Sequence, residues 1–241
     1  MRETTASIHP SEPNSDPVIV VCGMAFEAEI AQGPGVVTLC GLGSERLAAR
    51  LEALLTQGAA AGQRYRGIIS FGTAGGLDPV LPPGACVLAS EIVTPDGRLA
   101  VDPAWLSALR ACLPQATAGA LAGVNQPLAD AEDKARLWHS SGAHAVDMES
   151  HRAGLVAHLH GVPFAACRVV VDPAHRSLPS SATVGLRDDG STAIMPILRA
   201  LAAHPGQLPA LIRLAADAGA AKRTLRAVRT QIGAAFAVPL A

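Results

Sequence analysis

The chain has 241 residues, of which 49% are hydrophobic but only 3% aromatic and 16% charged, so its core must be built from aliphatic side chains and alanine. That composition excludes disordered, collagen-like and coiled-coil classes. With 19 Lys and Arg against 20 Asp and Glu, the formal net charge of −1 gives no overall field to attract a polyanion, and no nucleic-acid partner is expected.

Residues 1–16, MRETTASIHPSEPNSD, are polar and lack the apolar stretch of a secretory signal, which predicts a flexible tail on a cytoplasmic chain. No apolar run reaches the roughly 18 residues of a membrane-spanning helix. A single domain over 17–236 is expected, long enough to bury roughly 70–75% of its unfolded surface without disulfides or metal. Short apolar runs at 18–22, 36–40, 67–71, 85–93, 118–124, 144–147 and 164–170, mostly rich in Val or Ile and bounded by Gly, Pro or Asp, read as strands buried on both faces. Segments of helical length lie between them at 44–57, 103–113, 130–139 and 148–160. In the last of these, Met148, His151 or Arg152, Leu155 and Leu159 recur at helical spacing and are expected to pack on the sheet. The alternation predicts a three-layer α/β/α fold around a central mixed, mostly parallel sheet. Residues 172–190 are rich in Pro, Ser, Asp and Gly and too long for an ordinary connection, so they read as a functional loop. Residues 191–236 read as an Ala-rich helical segment interrupted near Pro205 and Pro209. The five cysteines are scattered without a Cys-x-x-Cys pair and read as small buried hydrophobes of a reducing compartment.

Four strand ends carry residues suited to chemistry. Gly23-Met24-Ala25-Phe26-Glu27 brings a carboxylate to the end of the first strand. Gly72-Thr73-Ala74-Gly75-Gly76 is a Gly-rich turn after a strand; it either lets backbone N–H groups and the Thr73 hydroxyl approach a ligand or is simply a tight turn. Asp147-Met148-Glu149 sets two carboxylates where a strand gives way to a helix, a place that stabilises an anion able to accept from sugar hydroxyls. Helix capping by Asp147 is the alternative. Arg168 lies inside an apolar strand that ends at Asp172, where open α/β sheets bind ligands, and needs a carboxylate or ligand oxygen there. His151, His158 and His160 lack the spacing of a metal-binding pair, so no metal is expected.

In their order along the chain these motifs resemble the nucleoside phosphorylase/nucleosidase superfamily, and within it the methylthioadenosine/S-adenosylhomocysteine nucleosidases, whose motifs read Ser-Ala-Gly-Gly-Leu, Val-Glu-Met-Glu-Ala and Arg-Ala-x-Ser-Asp. The resemblance covers residues 18–171. Asp172-Pro173-Ala174-His175-Arg176-Ser177-Leu178-Pro179, the Pro205-Gly206-Gln207-Leu208-Pro209 break and the basic Ala-rich tail are similar to the hopanoid-associated phosphorylase subfamily, which is linked to removal of adenine from adenosylhopane.

The resemblance implies a phosphorylase/hydrolase-like fold and N-glycosidic cleavage of a 5′-modified adenosine without a cofactor. Asp172 would protonate the purine at N7 and Glu27 would activate water. Glu149 would bind the ribose hydroxyls with Met148 beside the sugar, Thr73, Ala74 and Gly75 would line the base or nucleophile site, and Arg168 and Asp147 would belong to the same cluster. Glu27 favours hydrolysis over phosphorolysis, although Gly43, Ser44 and Arg46 form a possible anion site at a helix N-terminus. The family's purine-stacking Phe has no aromatic counterpart in Gly123-Val124-Asn125-Gln126-Pro127-Leu128, and Val171 stands where a Ser precedes the Asp. Lys222, Arg223, Arg226 and Arg229 fall at near-helical spacing, as in a basic amphipathic helix lying on the inner face of a membrane or as a solvated helix face. The resemblance also implies a homo-oligomer. A catalytically silent purine-binding protein is the reading of another class.

Overall fold

A computed structural model describes residues 16–41, 43–179, 190 and 203–239. The expected tail, all but its last residue, lies outside the described residues, as do 180–189 of the long loop and 191–202 of the Ala-rich segment.

The chain runs β1 (Val18–Cys22), α1 (Ala25–Ala31), β2 (Val36–Cys40), α2 (Ser44–Ala60), β3 (Gly67–Gly76), β4 (Cys86–Thr94), β5 (Gly97–Ala100), α3 (Pro103–Cys112), β6 (Thr117–Gly123), α4 (Ala131–Ser141), β7 (Ala145–Asp147), α5 (Ser150–Leu159) and β8 (Phe164–Asp172). A 3-10 turn (Pro205–Gln207) then leads into α6 (Leu208–Gln231). The eight strands form one sheet in the order β2-β1-β3-β7-β6-β4-β5, with β8 paired to both β3 and β4. Five pairings are parallel, and β3 with β7, β4 with β5 and β4 with β8 are antiparallel. The sheet is therefore mixed and mostly parallel. Strands β3, β7, β6, β4 and β8 close a circuit, because β3 reaches β4 both through β8 and through β7 and β6.

Helices cover both faces. On one, Leu47, Leu51 and Leu55 of α2, four residues apart, join Ala153, Val156 and Ala157 of α5 against Ile68, Ala166 and Val170. On the other, Trp105 and Leu109 of α3 and Ala221, Leu225 and Val228 of α6 pack on Ile69, Phe71 and Cys167. Asp102 caps α3 by accepting from the Trp105 N–H at 2.8 Å, with Pro103 in the first turn. Trp105 Nε1 in turn donates to the Phe236 carbonyl at 2.8 Å, and Phe236 meets Phe71 edge-on at 5.2 Å.

Two expectations need correction, and two elements were not foreseen. The Gly-rich stretch 72–76 is no turn: β3 continues through it to Gly76, because β8 pairs with Gly72 to Gly75 and β7 with Gly75 and Gly76. Helix α5 begins at Ser150, not Met148, and presents a different face from the one expected: Leu155 is 37% and Leu159 71% exposed, while Ala153, Gly154 and Ala157 are buried. Small residues win because α5 lies close on the sheet; a methyl at Gly154 would come within 3.1 Å of the Phe164 ring. Pro205 opens the 3-10 turn and Pro209 sits in the first turn of α6, where its missing N–H costs nothing. Helix α1 and the short edge strand β5 were not foreseen, the former because seven residues carry too little periodicity.

Candidate active site

Four strand ends converge on one cavity of about 190 Å3, lined by Met24 and Glu27 after β1, Thr73, Ala74 and Gly75 of β3, Asp147, Met148 and Glu149 after β7, and Asp172 ending β8. Gly23, Val124, Pro127, Leu128, Val146, Val171 and Leu178 complete the described wall, and no aromatic ring is among the described lining residues.

Glu27 is the third residue of α1, so its carboxylate folds back to the helix start: Oε2 accepts from the N–H groups of Gly23 and Met24 at 3.0 and 2.9 Å. Its Oε1 accepts from the backbone N–H and the hydroxyl of Thr73, both at 2.7 Å. Four donors hold one buried carboxylate across two strand ends. The approach requires glycine: a methyl on Gly72 would lie 2.5 Å from Glu27 Oε2, and one on Gly23 2.8 Å from Glu149 Oε1.

Arg168 lies beneath the cavity, 1% exposed. Its Nε forms an ion pair with Asp147 Oδ2 at 2.6 Å, at an angle that makes no hydrogen bond. One Nη donates to Ser70 Oγ at 2.5 Å and to Glu149 Oε2 at 3.2 Å, and the other to the Thr73 carbonyl at 3.3 Å. Asp147 also accepts from the Ser150 N–H at 3.0 Å and from the Ser150 hydroxyl. Asp147 thus acts as both cap and counter-ion, and its oxygens are spent on protein groups.

One guanidinium is shared by Asp147, Glu149 and Glu27, and this settles the electrostatics. The three carboxylates push Arg168 above its ordinary range despite burial. One positive charge does not balance three negative ones, and Glu149 is pushed up to about 8, by burial first and by Asp147 and Glu27 next, against the opposing pull of Arg168. Glu149 was expected as an anion stabilised by the helix start; instead it makes no cap hydrogen bond, and desolvation prevails. Asp172 is also raised by burial, opposed by Lys134.

Asp172 owes its direction to a bulge. The pairing of β3 with β8 runs Gly72 to Arg168, Thr73 to Val169 and Ala74 to Val170, then jumps from Gly75 to Asp172. Val171 is the extra residue, which turns Asp172 out of the phase it would otherwise share with Arg168 and Val170.

Sequence reasoning missed Lys134 and Ser70. Lys134 is wholly buried, and its ammonium donates to Asp172 Oδ2. Its surroundings in α4, Glu132, Asp133, Lys134 and Arg136, read as a solvated helix; a lysine four residues after the Asp130 cap carries no mark of burial. Ser70 was hidden in an apolar run.

The remaining expected residues fall elsewhere. Gly43, Ser44 and Arg46 stand at the start of α2 and do not line the cavity. Ser44 Oγ lies 3.2 Å from Asn125 Oδ1, which also meets His151 Nε2 at 2.9 Å. Of the basic residues of α6, Lys222 lies over the Phe26 ring at 5.1 Å, and Arg229 over Phe236 at 4.3 Å with its Nε donating to the Ala31 carbonyl at 3.1 Å. Of the four residues of the expected basic stripe, only Arg223 and Arg226 are exposed. No described helix is long and apolar enough to cross a membrane.

No curated protein is significantly similar in sequence to the chain. Among solved structures, the fold is similar to the 5′-methylthioadenosine/S-adenosylhomocysteine nucleosidase from Neisseria meningitidis in complex with methylthio-immucillin-A, at 18% identity and a TM-score of 0.61, covering 90% of this chain and 100% of that one. The corresponding nucleosidase mutant from Helicobacter pylori with 5′-methylthioadenosine in its active site matches at 14% identity and a TM-score of 0.60, covering 89% and 98%. Futalosine hydrolase from Helicobacter pylori matches at 14% and 0.60, covering 88% and 97%. The family profile described as the phosphorylase superfamily matches residues 14–200. Spanning the sheet and every residue of the acidic cavity, that match makes the chain a member of the phosphorylase superfamily.

Proposed function

We propose that the chain hydrolyses the N-glycosidic bond of a 5′-modified adenosine and releases adenine, with adenosylhopane as the substrate to which the sequence of residues 172–179 points. The observation that carries this reading is the meeting of Glu27, Glu149 and Asp172 on one cavity. Breaking the bond between C1′ and N9 sends its electrons to the purine and leaves positive charge on the sugar ring, so groups are needed at both ends. Asp172, raised by burial, gives its proton to the purine ring nitrogen. Water attacks C1′ and its proton passes to Glu27, whose position is fixed by four donors. Glu149 accepts from the ribose hydroxyls. The reaction needs neither metal nor cofactor.

Hydrolysis is favoured over phosphorolysis because no Lys or Arg is among the described residues lining the cavity, and carboxylates repel phosphate. Without an aromatic ring, the base lies between Val124, Leu128 and Leu178, held by aliphatic contact. Methylthioadenosine is the second reading, favoured by the likeness of fold to a nucleosidase holding 5′-methylthioadenosine. A homo-oligomer is part of the proposal, supported by the exposed Leu155 and Leu159 of α5. Contact with the inner membrane face through Arg223 and Arg226 is part of the lipid reading only.

Adenosylhopane and methylthioadenosine are each incubated with the protein, with and without phosphate, and free adenine is measured. Adenine from adenosylhopane without phosphate is expected; no adenine from either substrate overturns the proposal. Glu149→Gln should lower kcat/KM about 2- to 13-fold below pH 8, where the Glu149 carboxyl is held neutral, and by more above it, where a charged acceptor is lost.

A further inference from the structure

Lys134 is a buried cation that the proposed chemistry does not use. It is the fourth residue of α4, 0% exposed, and it does not line the cavity. An unpaired ammonium at such a place is several kcal/mol unfavourable, and the structure meets that cost in full. The three N–H bonds of Nζ find three acceptors: Asp172 Oδ2, the Arg176 carbonyl at 2.9 Å and the Pro173 carbonyl at 3.3 Å. No donor remains for a ligand, so any influence on the reaction passes through Asp172.

The same contacts tie α4 to the segment that closes the cavity. The Leu178 N–H donates to the Ala129 carbonyl at 2.8 Å, and Ser177 Oγ accepts from the Ala131 N–H at 3.0 Å. Lys134 sits between these two links and the end of β8. Among the described residues it is also the only side chain that hydrogen-bonds Asp172.

We propose that Lys134 is a positioning residue: its ammonium holds the Asp172 carboxyl at the cavity wall and sets the pH range over which that carboxyl can carry a proton to the departing base. This rests on Asp172 as the acid. Burial favours the neutral carboxyl and Lys134 the carboxylate, and the two oppose each other at one group. Glu27 and Glu149 share the cavity with Asp172, and His175 and Arg176 stand beside it on the loop that follows. Asp217 of α6 acts in the direction of burial and is itself paired with Arg176; Arg168, on the same strand, is turned to Asp147 and Glu149. Lys134 is therefore the counterweight.

The test compares the full-length protein with Lys134→Met and Lys134→Arg, following the Asp172 carboxyl by carbon-13 NMR across pH and, in parallel, the pH profile of adenine release. In Lys134→Met both the carboxyl titration and the alkaline limb of kcat/KM should move up by about 1–3 pH units; Lys134→Arg should keep both near wild type. A folded Lys134→Met with an unmoved titration, or Lys134→Arg moving equally far, overturns the proposal. Should Lys134→Met not fold, the nitrogen-15 signal of the Lys134 ammonium in the wild type decides: it must shift at the pH where Asp172 titrates, and failure to do so overturns the coupling. If the wild type cleaves no nucleoside, the glycosidic reading fails while the carboxyl titration still decides the Lys134–Asp172 link.

Discussion

Asp172 pairs with Lys134, the lysine wholly buried and the carboxylate nearly so, and this makes the substitution that tests the proposed acid a structural one as well. Asp172→Asn should stop adenine release, and it also leaves Lys134 with carbonyl and amide oxygens alone. Removing one partner of a buried pair costs about 3–5 kcal/mol, and the amide oxygen still accepts, which places the loss near 3 kcal/mol. For a chain of this size a drop in Tm of roughly 6–12 °C is expected. Adding Lys134→Met to Asp172→Asn should recover most of that drop without restoring activity, and equal Tm values for the single and double variants would contradict the pairing. The sequence made Asp172, Glu149 and Arg168 visible because each breaks an apolar pattern at a strand end. It could not make Lys134 visible, because a charged residue in a charged helix looks solvated whichever way it points. The rise of Glu149 was equally hidden, since it depends on burial and then on three acids sharing one guanidinium, and both exist only after β3, α1, β7 and β8 have come together.

Among the elements, the strands were the legible part. Runs such as VIVVC and VVTLC are buried at every position, which a continuous apolar run announces directly. The errors came where small residues did the packing. Gly72 to Gly76 reads as a turn in one dimension, yet it is strand because β8 lies alongside; α5 reads as a leucine-faced helix, yet it buries alanine and glycine. Helix α6 teaches the same lesson about charge. Two of the four basic residues of its stripe, Lys222 and Arg229, stack on Phe26 and Phe236, so a stripe that looks like a membrane face in sequence is partly an internal clamp. Phe236 is the anchor of that clamp, holding Trp105 by its carbonyl and Phe71 and Arg229 by its ring. Phe236→Ala should destabilise the protein by about 3–5 kcal/mol in denaturant unfolding, whereas Arg226→Ala, at an exposed position, should stay within about 0.5 kcal/mol.

At the scale of the whole molecule, the raised carboxyls tie stability to pH in an unusual direction. Most acids are lowered by folding and favour the native state as pH rises; Glu149 and Asp172 are raised. For Glu149 the sign follows from the proton count: the native chain holds a proton that the unfolded chain has released, so its contribution is complete below about 4.5 and is lost as pH climbs to about 8. Thermal unfolding across that window should show Glu149→Gln gaining Tm relative to wild type as pH rises, with the largest gain above pH 8. Parallel curves for the two proteins would refute the raised value. The near-zero net charge of the chain thus hides an uneven distribution, with acids gathered at the cavity and basic groups spread along α6.

The bulge in β8 divides the meaning of Val171 into two parts. As the residue that stands between Val170 and Asp172 without a partner on β3, it works by standing outside the ladder. Its side chain is free to differ: a change there alters the cavity wall and leaves the aim of the Asp172 carboxyl untouched. Closing the bulge is another matter. Were Val171 to pair with Gly75, Asp172 would fall to the face that Arg168 already occupies, and carboxylate and guanidinium would cancel each other. The site thus tolerates a new side chain at position 171 and depends on the register there, a distinction that lies in how β8 is paired with β3 and in no side chain.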